Sequence, residues 1–306
     1  MWFVALIAVM VIFAAAEAKA TKRVALVIGN DKYDSLPNLN NATTDAHGMA
    51  ARLTQLGFIV IMKLNATRRA FGRALVEFEG RAAGADVALV FYAGHGIQAG
   101  RKNYLIPSNA QIEDEDDLRF EGFDAGAFLQ SMKTAGSRLN IVIMNACRDN
   151  PLPKRSRSAA RGLTITHAPS GTNGTAIIYA AAPGQTAQDG PRGGHGVFTG
   201  ALLAVLEQPG LNLEQVYKET ARRVSALTGG KQDPWINSSV KGEFIFNATS
   251  PGLAVTAPTP SREDGAELMF WDTVKDSVDP KAFQAYLQQY MYTAFLAQAD
   301  ADEITA

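Results

Sequence analysis

The sequence predicts an α/β protein: a three-layer αβα sandwich around a mostly parallel sheet of about six strands. The first observation is a series of short apolar runs without polar alternation, which is typical of strands covered on both faces. The second is that helical patterns separate most of these runs, and a strand–helix–strand repeat indicates parallel strands with right-handed crossovers. The third is a globular composition, with 47% hydrophobic and 19% charged residues among 306.

Each predicted element follows from its own pattern. The strands are apolar runs at residues 24–29, 58–62, 87–92, 141–144, 176–179 and 243–246. The helices carry apolar residues spaced for one buried face, at residues 43–56, 68–83, 125–134, 198–207 and 213–227. A further helical hairpin is predicted at the C-terminal end of the sequence, where Pro280 fits the first turn of the second helix.

The chain divides into four predicted regions. Residues 1–20 are mostly apolar and end in a small-x-small pattern, which predicts a signal peptide and export to a periplasm or the medium; an uncleaved membrane anchor is the alternative. Residues 22–247 form the α/β domain, in which an exposed basic loop at 151–174 separates segments 22–150 and 175–247. Residues 248–262 are a proline-containing linker, and residues 263–303 are the helical tail, a candidate module for binding a partner protein.

Composition and motifs exclude several classes of function. The net charge is −1 and no long basic stripe occurs, which argues against nucleic acid as the main partner. One cysteine and four histidines show no zinc-ligand spacing, so no metal site of that kind is predicted. Gly29 is followed by Asn30 and Asp31 instead of a dinucleotide-binding glycine pattern. Residues 145–149 lack the two glycines of an α/β-hydrolase nucleophile elbow.

The only cysteine and one histidine follow two predicted strands. Cys147 comes after the strand at 141–144, and His95 comes after the strand at 87–92. Ligands of open α/β sheets bind at the carboxyl ends of parallel strands, so both residues are predicted to reach the same crevice. An imidazole shifts a nearby thiol toward the reactive thiolate, and it then protonates the leaving amine of a peptide. This pair therefore predicts nucleophilic catalysis, with Cys147 as nucleophile and His95 as acid–base partner.

Other residues complete the prediction. The backbone N–H groups of Gly96 and Cys147 are candidates for an oxyanion hole. The remaining histidines, His47, His167 and His195, are interpreted as surface or loop residues and not as general bases.

Several short motifs, in order along the chain, resemble those of the caspase-like peptidases. His95 and Cys147 are 52 residues apart, close to the roughly 50 typical of caspases. The segments YAGHG and NACR, which contain these two residues, resemble the family's His and Cys motifs. The segments RVALVIGN and NATTDA near the start of the domain resemble bacterial metacaspase-like proteins, and YAAAPG and KQDPW resemble the small-subunit half. The similarity covers about residues 22–247.

The resemblance implies a caspase-haemoglobinase-like fold, a Cys–His dyad without an obligatory third member, and a polypeptide substrate. Metacaspases and paracaspases accept Arg or Lys before the cut through acidic groups, and the matching positions here are Asp45, Asn145 and Asp189. Asn145 stands where Asp is usual, and its amide hydrogen-bonds a guanidinium without supplying charge. For Asp45, a carboxylate that stabilises a helix N-terminus is the alternative interpretation.

Two further alternatives stay open at this stage. No cofactor is predicted, but calcium dependence occurs among metacaspases, and the acidic residues 113–117 are the candidate ligands. A solvated acidic loop is the other interpretation of that run. The main alternative to a cysteine endopeptidase is a catalytically inactive caspase-like scaffold that binds partners.

Overall fold

The computed structural model describes residues 21–100, 102–147, 174–183 and 185–248, and at Cys147 it describes the backbone alone. The predicted signal peptide, nearly all of the basic loop and linker, and the helical tail lie outside the described residues. The described part contains most of the α/β domain and at least the backbone of each residue predicted to carry its chemistry.

The described residues form eight strands and six helices. In chain order they are β1 (Arg23–Gly29), α1 (Ala42–Gln55), β2 (Phe58–Leu64), α2 (Arg68–Ala82), β3 (Val87–Ala99), β4 (Lys102–Leu105), α3 (Leu118–Glu121), β5 (Phe123–Asp124), α4 (Gly126–Ala135), β6 (Leu139–Cys147), β7 (Thr175–Tyr179), α5 (Val197–Leu206), α6 (Leu213–Thr228) and β8 (Trp235–Ser238).

The main sheet has the strand order β2-β1-β3-β6-β7-β8. All neighbouring pairs are parallel except β7 and β8, which are antiparallel. Helices α1, α5 and α6 pack on one face, and α2 and α4 pack on the other, each group over its own apolar core. The predicted three-layer sandwich with a mostly parallel sheet is therefore confirmed.

Strand β3 is longer than its apolar run predicted. It continues through Gly94, His95 and Gly96 to Ala99, because β4 pairs antiparallel with its last four residues and supplies hydrogen-bond partners beyond the main sheet. β5 in turn pairs with β4. Neither β4 and β5 nor α3 was predicted from the sequence, since none of them carries a long apolar run.

The strand predicted at residues 243–246 is wrong. The last strand of the sheet is β8, and Ile245 makes only an isolated bridge with Asn212. The apolar run that suggested a strand contains Phe244 and Phe246, whose buried rings pack edge to face, with 4.7 Å between their centroids. Arg23 holds this segment by donating to the Phe246 carbonyl at 2.9 Å.

The same guanidinium also donates to the Leu56 carbonyl at 3.1 Å and lies over the rings of Phe58 and Phe244. Arg23 thus joins the start of β1 to the segment after β8.

Among the helices of the described residues, none combines the length and the apolarity needed to cross a bilayer.

Candidate active site

His95 and Cys147 occupy paired positions of neighbouring parallel strands. In the register of β3 and β6, Ala93 pairs with Asn145 and His95 pairs with Cys147. Both residues lie inside their strands, at the last paired positions, and not just past the strand ends as predicted. Neighbouring strands are about 4.8 Å apart, so the two backbones are adjacent at the carboxyl edge of the sheet.

The His95 ring is held by the loop between β1 and α1. Its Nε2 lies 2.7 Å from the Pro37 carbonyl oxygen, and because a carbonyl only accepts, Nε2 carries the proton. The Tyr33 ring packs against the imidazole with 4.6 Å between centroids, and the Tyr33 hydroxyl accepts from the His95 backbone N–H at 2.9 Å. The His95 carbonyl accepts from the Tyr92 hydroxyl at 2.7 Å. Backbone and ring are therefore both fixed.

With Nε2 protonated, Nδ1 carries the free lone pair of the neutral imidazole. This atom is buried and has no hydrogen-bond partner among the described residues. Burial lowers the pKa of His95, and this effect is opposed by the Pro37 hydrogen bond and by the charge of Asp189. Since His95 is only 5% exposed, the neutral form is favoured and Nδ1 is ready to accept a proton.

Gly94 is required by the close packing around the backbone of His95. Its φ is +156°, and a β-carbon there would lie 2.5 Å from the Tyr92 hydroxyl oxygen and 2.8 Å from the Tyr33 hydroxyl oxygen. These are the two hydroxyls that hold the His95 backbone. The glycine of the sequence motif therefore serves the packing of the tyrosines that position the histidine.

A small pocket opens beside these strands and contains all three predicted substrate-binding residues. Its lining consists of Leu39, Ala42, Asp45, Ala93, Gly94, Asn145, Gln188 and Asp189. These residues come from the loop before α1, from α1, β3 and β6, and from the loop before α5. A larger groove of the described residues lies between α6 and β8, but its lining holds no thiol or imidazole.

Asp45 is buried deeper than a surface acid at a helix N-terminus. It is 2% exposed, and its Oδ2 accepts from Asn145 Nδ2 at 2.9 Å. Its Oδ1 accepts from the Gly196 backbone N–H at 3.0 Å and contacts His195 Nδ1 at 3.1 Å. Burial raises the pKa of Asp45, while hydrogen bonds from Gly196, Thr199 and His195 lower it. His195 does lie in the loop before α5, but its contact with this buried carboxylate was not predicted from the sequence.

Two glycines make room for this network. A β-carbon at Gly48 of α1 would lie 2.6 Å from Cε1 of His195, and one at Gly196 would lie 2.9 Å from Oδ2 of Asp45. The GGHG segment before an apolar helix was the signal available in the sequence. It gave no indication of Asp45, which is 150 residues away.

Asp189 is tied to the loop before α1. Its Oδ2 accepts from the Asn40 backbone N–H at 2.9 Å. The buried amide of Asn41 donates to the carbonyls of Asp189 and Pro191, and its Oδ1 accepts from the Gly193 N–H at 3.1 Å. The acid of the pocket wall is therefore held in place by backbone contacts on both sides.

Two other predicted groups are the oxyanion-hole candidate Gly96 and the acidic run at residues 113–117. Gly96, the residue directly after His95, pairs with Leu105 of β4. In the acidic run, Oδ2 of Asp117 accepts from the Glu113 and Asp114 N–H groups, which lowers the pKa of Asp117. Within the described ranges no cluster of three or more His, Cys, Asp or Glu residues is arranged to hold a metal ion.

The fold and the register of β3 and β6 define an α/β protein with a histidine and a cysteine together at the carboxyl edge of its sheet. The family model of the caspase domain matches residues 22–245. The chain therefore belongs to the caspase peptidase family, whose members act on polypeptides.

Individual relatives are distant. Caspase-12 of Mus musculus is 30% identical over 139 residues, which cover 45% of this chain and 32% of that protein. Mucosa-associated lymphoid tissue lymphoma translocation protein 1 of Homo sapiens is 28% identical over 131 residues, or 42% of this chain and 15% of that protein. The chain thus spans a third or less of the length of these relatives.

A crystal structure of a Geobacter sulfurreducens protein matches the fold with a TM-score of 0.53 at 18% identity. The match covers 78% of this chain and 98% of that one. At this identity the likeness concerns the fold alone, and it agrees with the three-layer sandwich.

Proposed function

We propose that the chain is a cysteine endopeptidase that uses a Cys147–His95 dyad and cleaves after Arg or Lys. The observation that carries the proposal is the pairing of His95 with Cys147 in the sheet register, combined with the Pro37 contact that leaves Nδ1 of His95 free to accept a proton. Caspase-family membership supports the same reaction class.

In the proposed reaction, Nδ1 of His95 takes the proton of the Cys147 thiol, and the sulfur attacks the carbonyl carbon of the scissile bond. The backbone N–H groups of Gly96 and Cys147 stabilise the oxyanion. His95 then gives the proton to the leaving amine, the C–N bond breaks, and a thioester remains. Water, deprotonated by His95, hydrolyses the thioester and restores the thiol.

The preference for a basic residue rests on the charges that line the pocket. Asp45 and Asp189 are acidic, Asn145 is a neutral polar group, and no Lys or Arg belongs to the lining among the described residues. A guanidinium or ammonium group would find acceptors there, whereas a substrate carboxylate would meet like charge.

The test is a set of four peptides that differ only in the residue before the cut, which is Arg, Lys, Asp or Leu. Wild type, Cys147→Ala and His95→Ala would be assayed with calcium and with a chelator. We expect turnover of the Arg and Lys peptides, none by Cys147→Ala, and a loss of about 10²–10⁴ for His95→Ala. No turnover of any peptide under either condition would favour the inactive scaffold, and preference for Asp would overturn the pocket assignment.

A further inference from the structure

The acceptor positions of the Asp45 carboxylate are occupied by donors of the protein itself. Oδ1 contacts both the Gly196 N–H and His195 Nδ1, and Oδ2 accepts from Asn145. A hydrogen bond from the Thr199 hydroxyl further stabilises the charged form of Asp45. A carboxylate offers about four lone-pair sites, so a substrate would have to displace one of these partners to bind it. Asp45 is therefore a support of the pocket wall and not a direct ligand.

This support fixes the amide of Asn145. Its Nδ2 donates to Oδ2 of Asp45 at 2.9 Å and to Oγ1 of Thr199 at 2.9 Å. An amide nitrogen has two hydrogens, and an ionised carboxylate only accepts, so both hydrogens are used and the orientation of the amide is determined. The carbonyl oxygen of Asn145 takes no part in these two contacts, and the residue lines the pocket.

His195 holds Asp45 from the opposite side. The imidazole sits against Gly48 of α1, where a β-carbon would lie 2.6 Å from its Cε1, and it remains 34% exposed. Its Nδ1 contacts Asp45 at 3.1 Å, while Gly196, the next residue, caps α5 and donates its N–H to the same oxygen. Residues 195 and 196 thus present two donors to one buried carboxylate.

We propose that His195 is a positioning residue of the substrate pocket. It acts through Asp45 and orients the side-chain amide of Asn145. The amide oxygen of Asn145 then accepts from a basic side chain of the substrate, together with the carboxylate of Asp189. This inference rests on the proposed function, because it concerns the same pocket. In this arrangement Asn145 and Asp189 bind the basic group of the substrate, and His195 and Asp45 hold Asn145 in position.

The reason for the effect lies in the proton of Asp45. Burial already raises the pKa of this carboxyl, and the hydrogen bond from His195 is among the contacts that oppose the rise. Without that donor the carboxyl takes up a proton more readily, and a protonated carboxyl can donate to the amide oxygen of Asn145. The amide then reverses, and its N–H groups face the pocket and disfavour a guanidinium.

The test measures binding in the Cys147→Ala background, in which no cleavage occurs. Two acetylated tetrapeptides, identical except for a C-terminal Arg or Leu, would be titrated by isothermal calorimetry. We expect His195→Leu to lower the Arg-over-Leu affinity ratio about tenfold or more, through weaker binding of the Arg peptide. His195→Asn should keep the ratio within about threefold of the parent value, because its amide nitrogen replaces Nδ1 as a donor.

His47→Leu is the matched control, since His47 is an exposed residue of the same helix as Asp45 and should leave the ratio unchanged. The inference is overturned if His195→Leu preserves the ratio, or if it weakens both peptides by the same factor, as a purely structural role would. Equal affinity of the parent for both peptides would also overturn it. If wild type hydrolyses no peptide, the endopeptidase proposal fails, yet the affinity ratio still decides the role of His195.

Discussion

Replacing Asn145 by Asp should be strongly destabilising in a pH-dependent way. The change puts a second carboxylate against Asp45, which is 2% exposed and 2.9 Å from the amide nitrogen that would be lost. Two unit charges about 4 Å apart repel by about 4 kcal/mol at an effective dielectric constant of about 20. The pair can escape this repulsion only by binding a proton.

The pH dependence follows from that proton. An isolated Asp has a pKa of about 3.9, so protonating one carboxyl costs about 1.5 kcal/mol at pH 5 and more than about 5 kcal/mol at pH 8. The folded variant binds more protons than its unfolded chain, so its stability falls as pH rises. We expect Asn145→Asp to lose about 1.5 kcal/mol of unfolding free energy at pH 5 and about 4 kcal/mol at pH 8.

Urea unfolding of wild type and variant at both pH values is the assay. Asn38→Asp is the control, because Asn38 is exposed and the oxygen that accepts from the Tyr33 N–H is retained; its effect should stay within about 0.5 kcal/mol. A loss that is equal at pH 5 and pH 8, or smaller than about 1 kcal/mol at pH 8, would refute the described contact between Asp45 and Asn145.

Three further predictions concern the dyad and the frame around it. In the Cys147→Ala background, the unfolding free energy should fall as the pH drops below about 6.5, because burial lowers the pKa of His95 and the unfolded chain is therefore protonated first. His95→Gln should make the unfolding free energy less dependent on pH in this range, and the same pH dependence with and without His95 would contradict the prediction. Gly94→Ala should lower the unfolding free energy, measured by thermal unfolding, by about 1–3 kcal/mol and should slow alkylation of the thiol. Gly72→Ala, in open space on α2, should instead raise the unfolding free energy by about 0.5–1 kcal/mol. Equal effects of the two changes would count against the close packing at Gly94. Arg23→Met should cost about 2–3 kcal/mol in urea unfolding because two carbonyl contacts are lost, and an unchanged midpoint would argue against them.

The parallel strands and the five larger helices were predictable because their apolar periodicity survives in the sequence. No predicted end of these five helices lies more than one residue from the observed end; α1 and α5, for example, are each shifted by one residue. The failures have a common physical cause. β8 has a short, half-exposed pattern, while the apolar run at residues 243–246 is buried by ring packing around Arg23 and not by strand pairing.

The pairing of His95 with Cys147 was predictable because two parallel strands end at one sheet edge. The contact with Pro37 was not, since it depends on the path of a loop and on a backbone atom that every residue carries. The link between His195 and Asp45 likewise requires the packing of α5 against α1. Sequence patterns identify which elements meet, but not which polar atoms face each other across them.

The most direct test of the dyad is the labelling of Cys147 by a peptide electrophile with Arg at its reactive end. Cys147 is the only cysteine of the chain, so intact mass reports its modification without ambiguity. We expect one adduct on folded wild type, and labelling at least about 100-fold slower in His95→Ala, because the imidazole no longer accepts the thiol proton. Equal labelling rates in the two proteins, or a thiol that reacts only after unfolding, would contradict the assignment of His95 and Cys147 as a catalytic pair.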